Sequence, residues 1–152
     1  MKKLVDSIEI YASAEDIFNG IIKVLSTEEG YRMWSTDHVS CKWVKGKPFE
    51  KESVLYIEEY LHGKLHKMKF AHMNVVRNKS LEYKLRFPMS VICPQGSLRI
   101  IQNEESCTFE AMLAFRMSGI LFKIAGNQVN ALKNHMKEEG ERLKAIVESK
   151  PY

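Results

Sequence analysis

The sequence predicts an α+β fold in which an antiparallel sheet is covered on its apolar face by one long C-terminal helix. Three observations carry this. Between Ser53 and Met117, short runs alternate apolar with polar residues and are separated by turn signals. From Ser118 to Lys150 the spacing changes to three and four, the period of an amphipathic helix. A twisted sheet needs its apolar face covered, and a helix of that length can lie across it. Such an arrangement leaves a pocket between helix and sheet. Function is to be sought there, because no motif in the chain names a reaction.

The elements follow in order. Val5 to Ala12 reads as a strand with Ile8, Ile10 and Ala12 on one face. Ser13 is an N-cap for a helix over about 14–25, with Ile17, Phe18, Ile21, Ile22 and Leu25 as its stripe. A second helix over about 28–34 places Tyr31 and Trp34 three apart on one face. A hairpin tipped at Gly63–Lys64 pairs Glu58 with Lys69 and Tyr60 with Lys67 on the outer face. It puts Leu55, Ile57, Glu59 and Leu61 with His66, Met68, Phe70 and His72 on the inner one. A turn at Asn78–Lys79 sets His72 opposite Leu85 and Phe70 opposite Phe87, with Glu82, Lys84 and Arg86 outward. A turn at Glu104–Glu105 pairs Gln102 with Cys107, Ile100 with Phe109 and Leu98 with Ala111. Inward parity is kept across all three, and a one-residue slip would expose each set. The segment 88–96, with two prolines, reads as a loop. Ser118 caps the last helix, whose stripe is Leu121, Ala125, Gln128, Leu132, His135 or Met136, Glu139, Leu143 and Ile146 or Val147. Its ends are apolar, but Gln128, His135 and Gly140 occupy the middle, where a purely structural helix keeps large aliphatics.

Composition narrows the function classes. The 152 residues suit one domain over 1–152 with one sizeable core, and 45% apolar with 28% charged residues is ordinary for a globular chain. The net charge of +4 is mild and the lysines are dispersed, so no nucleic-acid footprint is expected. Cys41, Cys93 and Cys107 form no CxxC pair and read as reduced, buried thiols of a cytoplasmic protein. Asp6 breaks the N-terminal apolar run too early for a signal peptide, and Ile120 to Ala125, interrupted by Lys123, is too short to span a bilayer. Stable membrane insertion is not expected.

The order of elements and several local residues resemble the START/Bet v 1-like superfamily, including its polyketide cyclase/dehydrase-like (SRPBCC) branch. The run Ser-Ile-Glu-Ile-Tyr-Ala-Ser-Ala-Glu-Asp-Ile-Phe over 7–18 is similar to that family's first strand entering its first helix. Tyr31 and Trp34 sit where aromatics mark its second helix. Trp43, Gly46, Pro48 and Ser53 resemble its second and third strands, and Glu59-Tyr60-Leu61-His62-Gly63-Lys64 its next hairpin. His135-Met136-Lys137-Glu138-Glu139-Gly140, then Leu143-Lys144, resembles the end of its last helix. The resemblance implies a helix-grip fold of about seven strands curved around the C-terminal helix, with a deep cavity. Members bind lipids, sterols, quinones, polyketides or plant hormones; some are cyclases, some carry lipids and some activate a chaperone ATPase. Fold does not choose among these.

The residues expected to face a ligand are Glu59, His66 and His72 on an otherwise apolar surface, with Phe70, Tyr83 and Leu85 beside them and Gln128, Leu132 and Met136 on the helix. None is assigned a catalytic role. The methionines at 68, 73, 89, 112, 117 and 136 serve as core fillers first and as adaptable ligand contacts second. A metal site from His38, His66, His72 and His135 would need separate elements to converge with no local spacing to support it, so none is expected, and no cofactor either. The leading expectation is non-covalent binding of a small hydrophobic molecule, lipid-, polyketide- or quinone-like, by a monomer or weak homodimer. One alternative is a cyclase- or dehydratase-type enzyme, which requires titratable side chains converging in one cavity. Another is a chaperone-activator-like interaction module, which requires an exposed apolar patch and a filled interior.

Overall fold

In the computed structural model, which describes residues 1–149, one antiparallel sheet curves around the C-terminal helix. Its strands are β1 (Lys2–Ile10), β2 (His38–Lys45), β3 (Val54–Leu61), β4 (Lys64–Val76), β5 (Ser80–Leu85), β6 (Gln95–Gln102) and β7 (Cys107–Phe115), in the order β1-β7-β6-β5-β4-β3-β2. Two helices, α1 (Ala14–Ser26) and α2 (Glu28–Trp34), follow β1; α3 (Gly119–Ile124) and α4 (Gly126–Glu148) follow β7. This is the helix-grip fold.

The helix starts are set by side-chain oxygens that accept otherwise orphaned backbone amides. Ser13 Oγ accepts from Asp16 N at 3.1 Å, Thr27 Oγ1 from Gly30 N at 3.0 Å and Ser118 Oγ from Leu121 N at 3.2 Å. The helix that Ser118 opens is not continuous, however. It breaks at Ala125, so α3 and α4 are separate, and Leu121 and Gln128 are exposed rather than turned to the sheet. The buried stripe of α4 is His135, Met136, Gly140, Leu143 and Val147. Its C-terminal half is clamped between α1 and β1. A Cβ on Gly20 would stand 2.8 Å from Val147 Cγ2, and one on Gly140 3.3 Å from Ile8 Cγ2. Glycine allows the helix to come this close.

The registers differ in an instructive way from those expected. The β6–β7 ladder is as predicted, with Gln102 opposite Cys107 and Ile100 opposite Phe109. In β3–β4 the two tip residues are His62 and Gly63, at φ 52° and 75°, as a tight hairpin turn of positive φ requires. Glu58 therefore faces Lys67, not Lys69, and Leu55 faces Phe70. The shift is two residues, so every side chain keeps its predicted face. In β4–β5 the correction changes faces. At the tip Val75 faces Leu81, so Asn74 and Val76 turn outward, and a bulge between Ala71 and Asn74 gives β4 one extra residue, with His72 at φ 51°. His72 consequently points to solvent while Met73 is buried inside. Phe70 faces Leu85, and Phe87, expected inside, is 81% exposed because β5 has already ended at Leu85. Leu55, Ile57, Leu85, Ile100 and Phe109 are buried as predicted. Outside, Glu58 pairs with Lys67 at 3.8 Å and Glu82 with Arg99 at 3.2 Å.

The two halves of α4 should respond differently to truncation. Leu143 is 0% exposed and closely packed, whereas Leu132 is half-buried and faces the hollow between helix and sheet. Leu143→Ala should cost about 2–5 kcal/mol in urea denaturation, and Leu132→Ala clearly less, because fewer contacts are lost there. Equal losses would contradict this packing.

Candidate functional site

The hollow is an interior cavity with about 110 Å³ open to the centres of water-sized molecules, well above the about 10–15 Å³ that one water needs. Its wall is mostly apolar, with residues such as Leu55, Met68, Leu98 and Ala111. At one end four titratable side chains converge from three elements. Glu59 reaches in from β3 by strand alternation, and His135 and Glu139 lie one turn apart on α4. His38 stands at the first position of β2.

The α2–β2 connection holds His38 in place. Its ring stacks on Tyr31, with centroids 3.7 Å apart and planes 5° from parallel, and meets Trp34 edge-on at 5.4 Å. Its Nδ1 lies 2.8 Å from the Tyr31 carbonyl oxygen, so this nitrogen carries the proton and donates it there. Trp34 Nε1 donates to the backbone oxygen of Glu139 at 2.9 Å. Glu138 accepts from Thr36 N at 3.2 Å and from Ser35 Oγ at 3.3 Å, tying the turn to α4. Tyr31 and Trp34, three apart on a short helix, thus act together: one backs His38, the other fixes α4.

His38 Nε2 is 3.1 Å from Glu139 Oε2 and 3.3 Å from Glu59 Oε2. His135 Nε2 is 3.3 Å from Glu139 Oε1 and 3.6 Å from Glu59 Oε2, and its Nδ1 is 3.4 Å from Asp37 Oδ2. Tyr31 donates its hydroxyl to Glu59 Oε2 at 2.7 Å. Burial alone would lower both imidazoles, but the neighbouring carboxylates outweigh it. Glu139 and Glu59 raise His38 to about 9, and Glu139, Glu59 and Asp37 raise His135 to about 10. Burial would raise Glu59, but His135 and His38 hold it well below the carboxylate range. Burial, then the charges of Glu59 and Glu139, push Tyr31 well above its usual value. The cavity thiol of Cys93 is driven by burial up to about 11, which leaves it protonated and a poor nucleophile.

Of the residues expected to face a ligand, Glu59, Phe70, Tyr83, Leu85, Leu132 and Met136 lie on the cavity wall. Three do not. His66 sits opposite Glu59 in the ladder but stays partly exposed outside the wall. The bulge turns His72 outward, and the break before α4 leaves Gln128 in solvent. The convergence that the sequence argued against is real for His38 and His135, whose side-chain donor atoms lie within 4.8 Å of one another and of a Glu139 oxygen. His66 and His72 take no part. His135 and Glu139 were signalled by polar residues inside an apolar helical stripe. Nothing local signalled His38.

No family model matches this sequence, and no curated protein matches it. Solved structures do. The allergen Ara h 8.0201 is 12% identical, with 98% of this chain and 99% of that chain covered at a TM-score of 0.69. The ZhuI aromatase/cyclase from a Streptomyces species is 10% identical, covering 97% and 93%, at 0.73. A norcoclaurine synthase from Thalictrum flavum, solved with dopamine and hydroxybenzaldehyde, is 13% identical, covering 99% and 89%, at 0.69. The chain therefore has the START/Bet v 1-like fold. Among the described residues no helix is long and apolar enough to cross a membrane.

The cluster gives stability a definite pH profile. The raised imidazoles stabilise the fold fully below their ordinary pKa of 6.5, and that contribution is lost as pH rises through about 9 to 10. The lowered Glu59 stabilises it above 4.5, and that contribution is lost as pH falls. The urea midpoint should therefore be highest at about pH 5–6.5 and decline on either side. His135→Ala should remove much of the alkaline decline; an unchanged profile in that variant would refute the assignment.

Proposed function

We propose that this protein binds a small, mainly apolar molecule carrying a polar head, with the apolar body against the sheet and α4 and the head at the His38–Glu59–His135–Glu139 end. The observation that carries this reading is the cavity itself: an apolar interior that is not filled by side chains, with its charged groups gathered at one end. Sites of this composition suit ligands whose body is held by area and whose orientation is fixed by a few polar groups. Ser97 adds a further polar point. It belongs to the wall, is buried, and its hydroxyl has no hydrogen-bond partner among the described residues. A lipid-, polyketide- or quinone-like molecule satisfies these demands. The norcoclaurine synthase with its two small aromatic ligands supports the reading, because it houses such molecules on the same fold.

A second reading is favoured by one specific feature. Titratable side chains converge in the cavity, as a cyclase- or dehydratase-type enzyme requires, and the aromatase/cyclase of similar fold supports it. There a protonated imidazole donates to a ligand oxygen while a carboxylate beside it takes a proton. The interaction-module reading is weaker. Ile120, Leu121 and Ile124 on α3 do expose apolar surface, but the interior is not filled.

Filling the cavity tests the binding reading. Ala111 lies on the wall, so Ala111→Phe occupies the space from β7. Binding of the fluorescent probe 1-anilinonaphthalene-8-sulfonate to the native protein should fall by at least about tenfold in the variant, a loss of about 1.4 kcal/mol. Circular dichroism should show the fold retained. Equal binding by both would remove the cavity from the function.

A further inference from the structure

We propose that His38, His135 and Glu139, with Glu59 beside them, form a binding site for one divalent first-row transition-metal ion at the polar end of the cavity. Four facts of geometry lead there, and none depends on what fills the rest of the cavity.

The first is spacing. A tetrahedral ion bound through nitrogen and oxygen at about 2.0–2.1 Å separates its ligand atoms by about 3.4 Å. The nearest imidazole-to-carboxylate separations are 3.1 and 3.3 Å to the two oxygens of Glu139, one from each ring, and 3.3 and 3.6 Å to Glu59 Oε2. The second is tautomer. Metal-binding histidines generally give their other ring N–H to a carbonyl or carboxylate, which fixes the ligating nitrogen and the ring orientation. Both histidines are arranged so: His38 Nδ1 on the Tyr31 carbonyl at 2.8 Å and His135 Nδ1 beside Asp37 at 3.4 Å. Tyr31 likewise holds Glu59 at 2.7 Å. The third is burial. The His38 side chain is 0% exposed, and its Nε2 faces two carboxylates at once, at 3.1 and 3.3 Å, so the nitrogen and the oxygens point at a shared centre. The fourth is charge. Two protonated imidazoles balance the two carboxylates in the free protein, and one divalent cation supplies the same two positive charges when both rings release a proton to ligate it.

The donors select the ion. Two imidazoles with carboxylates and no thiolate suit zinc, ferrous iron, cobalt or manganese rather than calcium or cuprous copper. Glu59, His135 and Glu139 belong to the cavity wall, so an ion among them faces the cavity and can take a ligand oxygen directly.

Cobalt(II) is the probe, added to the full chain after treatment with a chelator. Visible d–d absorption should saturate at one equivalent and be displaced by zinc. Asp37→Asn, which loosens His135 without removing a ligand, should lower cobalt affinity by roughly 10–100-fold. His38→Gln should lower it further. A variant with glutamine at His62, His66 and His72 should bind as tightly as the native chain. In the native cobalt complex, paramagnetic broadening should remove the signals of His38, His135 and the Trp34 indole and spare His72. That readout needs no variant to fold. No saturable spectrum, indifference to both Asp37→Asn and His38→Gln, or broadening centred on the exposed histidines would overturn the proposal.

Discussion

Two carboxylates set against an apolar wall are the constraint from which much of the remaining structure follows. Glu59 and Glu139 are largely removed from water, and a charge in such a place is tolerated only with opposite charge and hydrogen bonds at hand. Meeting that demand recruits β3, α4, the end of α2 and the start of β2. The sharp α2–β2 connection delivers a histidine between two acids. Tyr31 serves the same centre twice, by its hydroxyl on Glu59 and its ring on His38. Trp34 and Glu138 then hold α4 at the depth where Glu139 reaches both imidazoles. Polar networks of this kind are stable only when their members are placed together, so the packing of α2 against α4 and the geometry of the site are one problem.

α4 resolves a conflict between packing and hollowness by dividing the tasks along its length. Its last three turns are buried against α1 and β1, with Gly20 and Gly140 removing the side chains that would hold the helices and strand apart. Its middle turns present His135, Met136 and Glu139 to open space. A helix packed along its whole length would close the cavity, and one packed nowhere would not stay over the sheet. The β4 bulge makes a similar trade on the opposite wall, where one extra residue sends an imidazole outward and brings a methionine in. The wall there becomes more apolar as a result, and the charged groups stay at one end.

How far the sequence disclosed this depends on the range of the signal. Alternation along a strand and the three-and-four spacing of a helix are local, so the α+β class and the inward faces of β3, β6 and β7 were legible, while the helix-grip fold and its strand number came with the family resemblance. The β3–β4 register was two residues off because the left-handed residue at the tip is His62, which does not announce a positive φ as glycine does. Parity survived, since two residues is the period of a strand. The β4–β5 ladder has no such protection: a one-residue shift at its tip puts His72, Asn74 and Val76 on the outer face, and the bulge at 71–74 restores the phase before Phe70. The break at Ala125 falls in a run that reads as continuous helix, and it hid the exposure of Gln128. In the site, His135 and Glu139 were visible as polar positions in an apolar stripe. His38 was not, because its partners lie on β3 and α4, and only the finished α2–β2 turn brings it to them.

The unequal anchoring of α4 also bears on how a molecule reaches the interior. Opening free energy need not be uniform along a fold; segments with few buried contacts open first and independently. The C-terminal end of α4 is held by fully buried residues such as Leu143, while α3 contributes no buried residue and Ile124 is 76% exposed. Amide exchange along residues 119–149 should therefore form a gradient, fastest at α3 and slowest near Leu143. Fraying from the fast end separates Phe122 from Phe115 and lifts Leu132 from its side of the cavity, leaving the sheet intact. The cavity therefore has a soft end by construction, next to the segment with the fewest buried contacts.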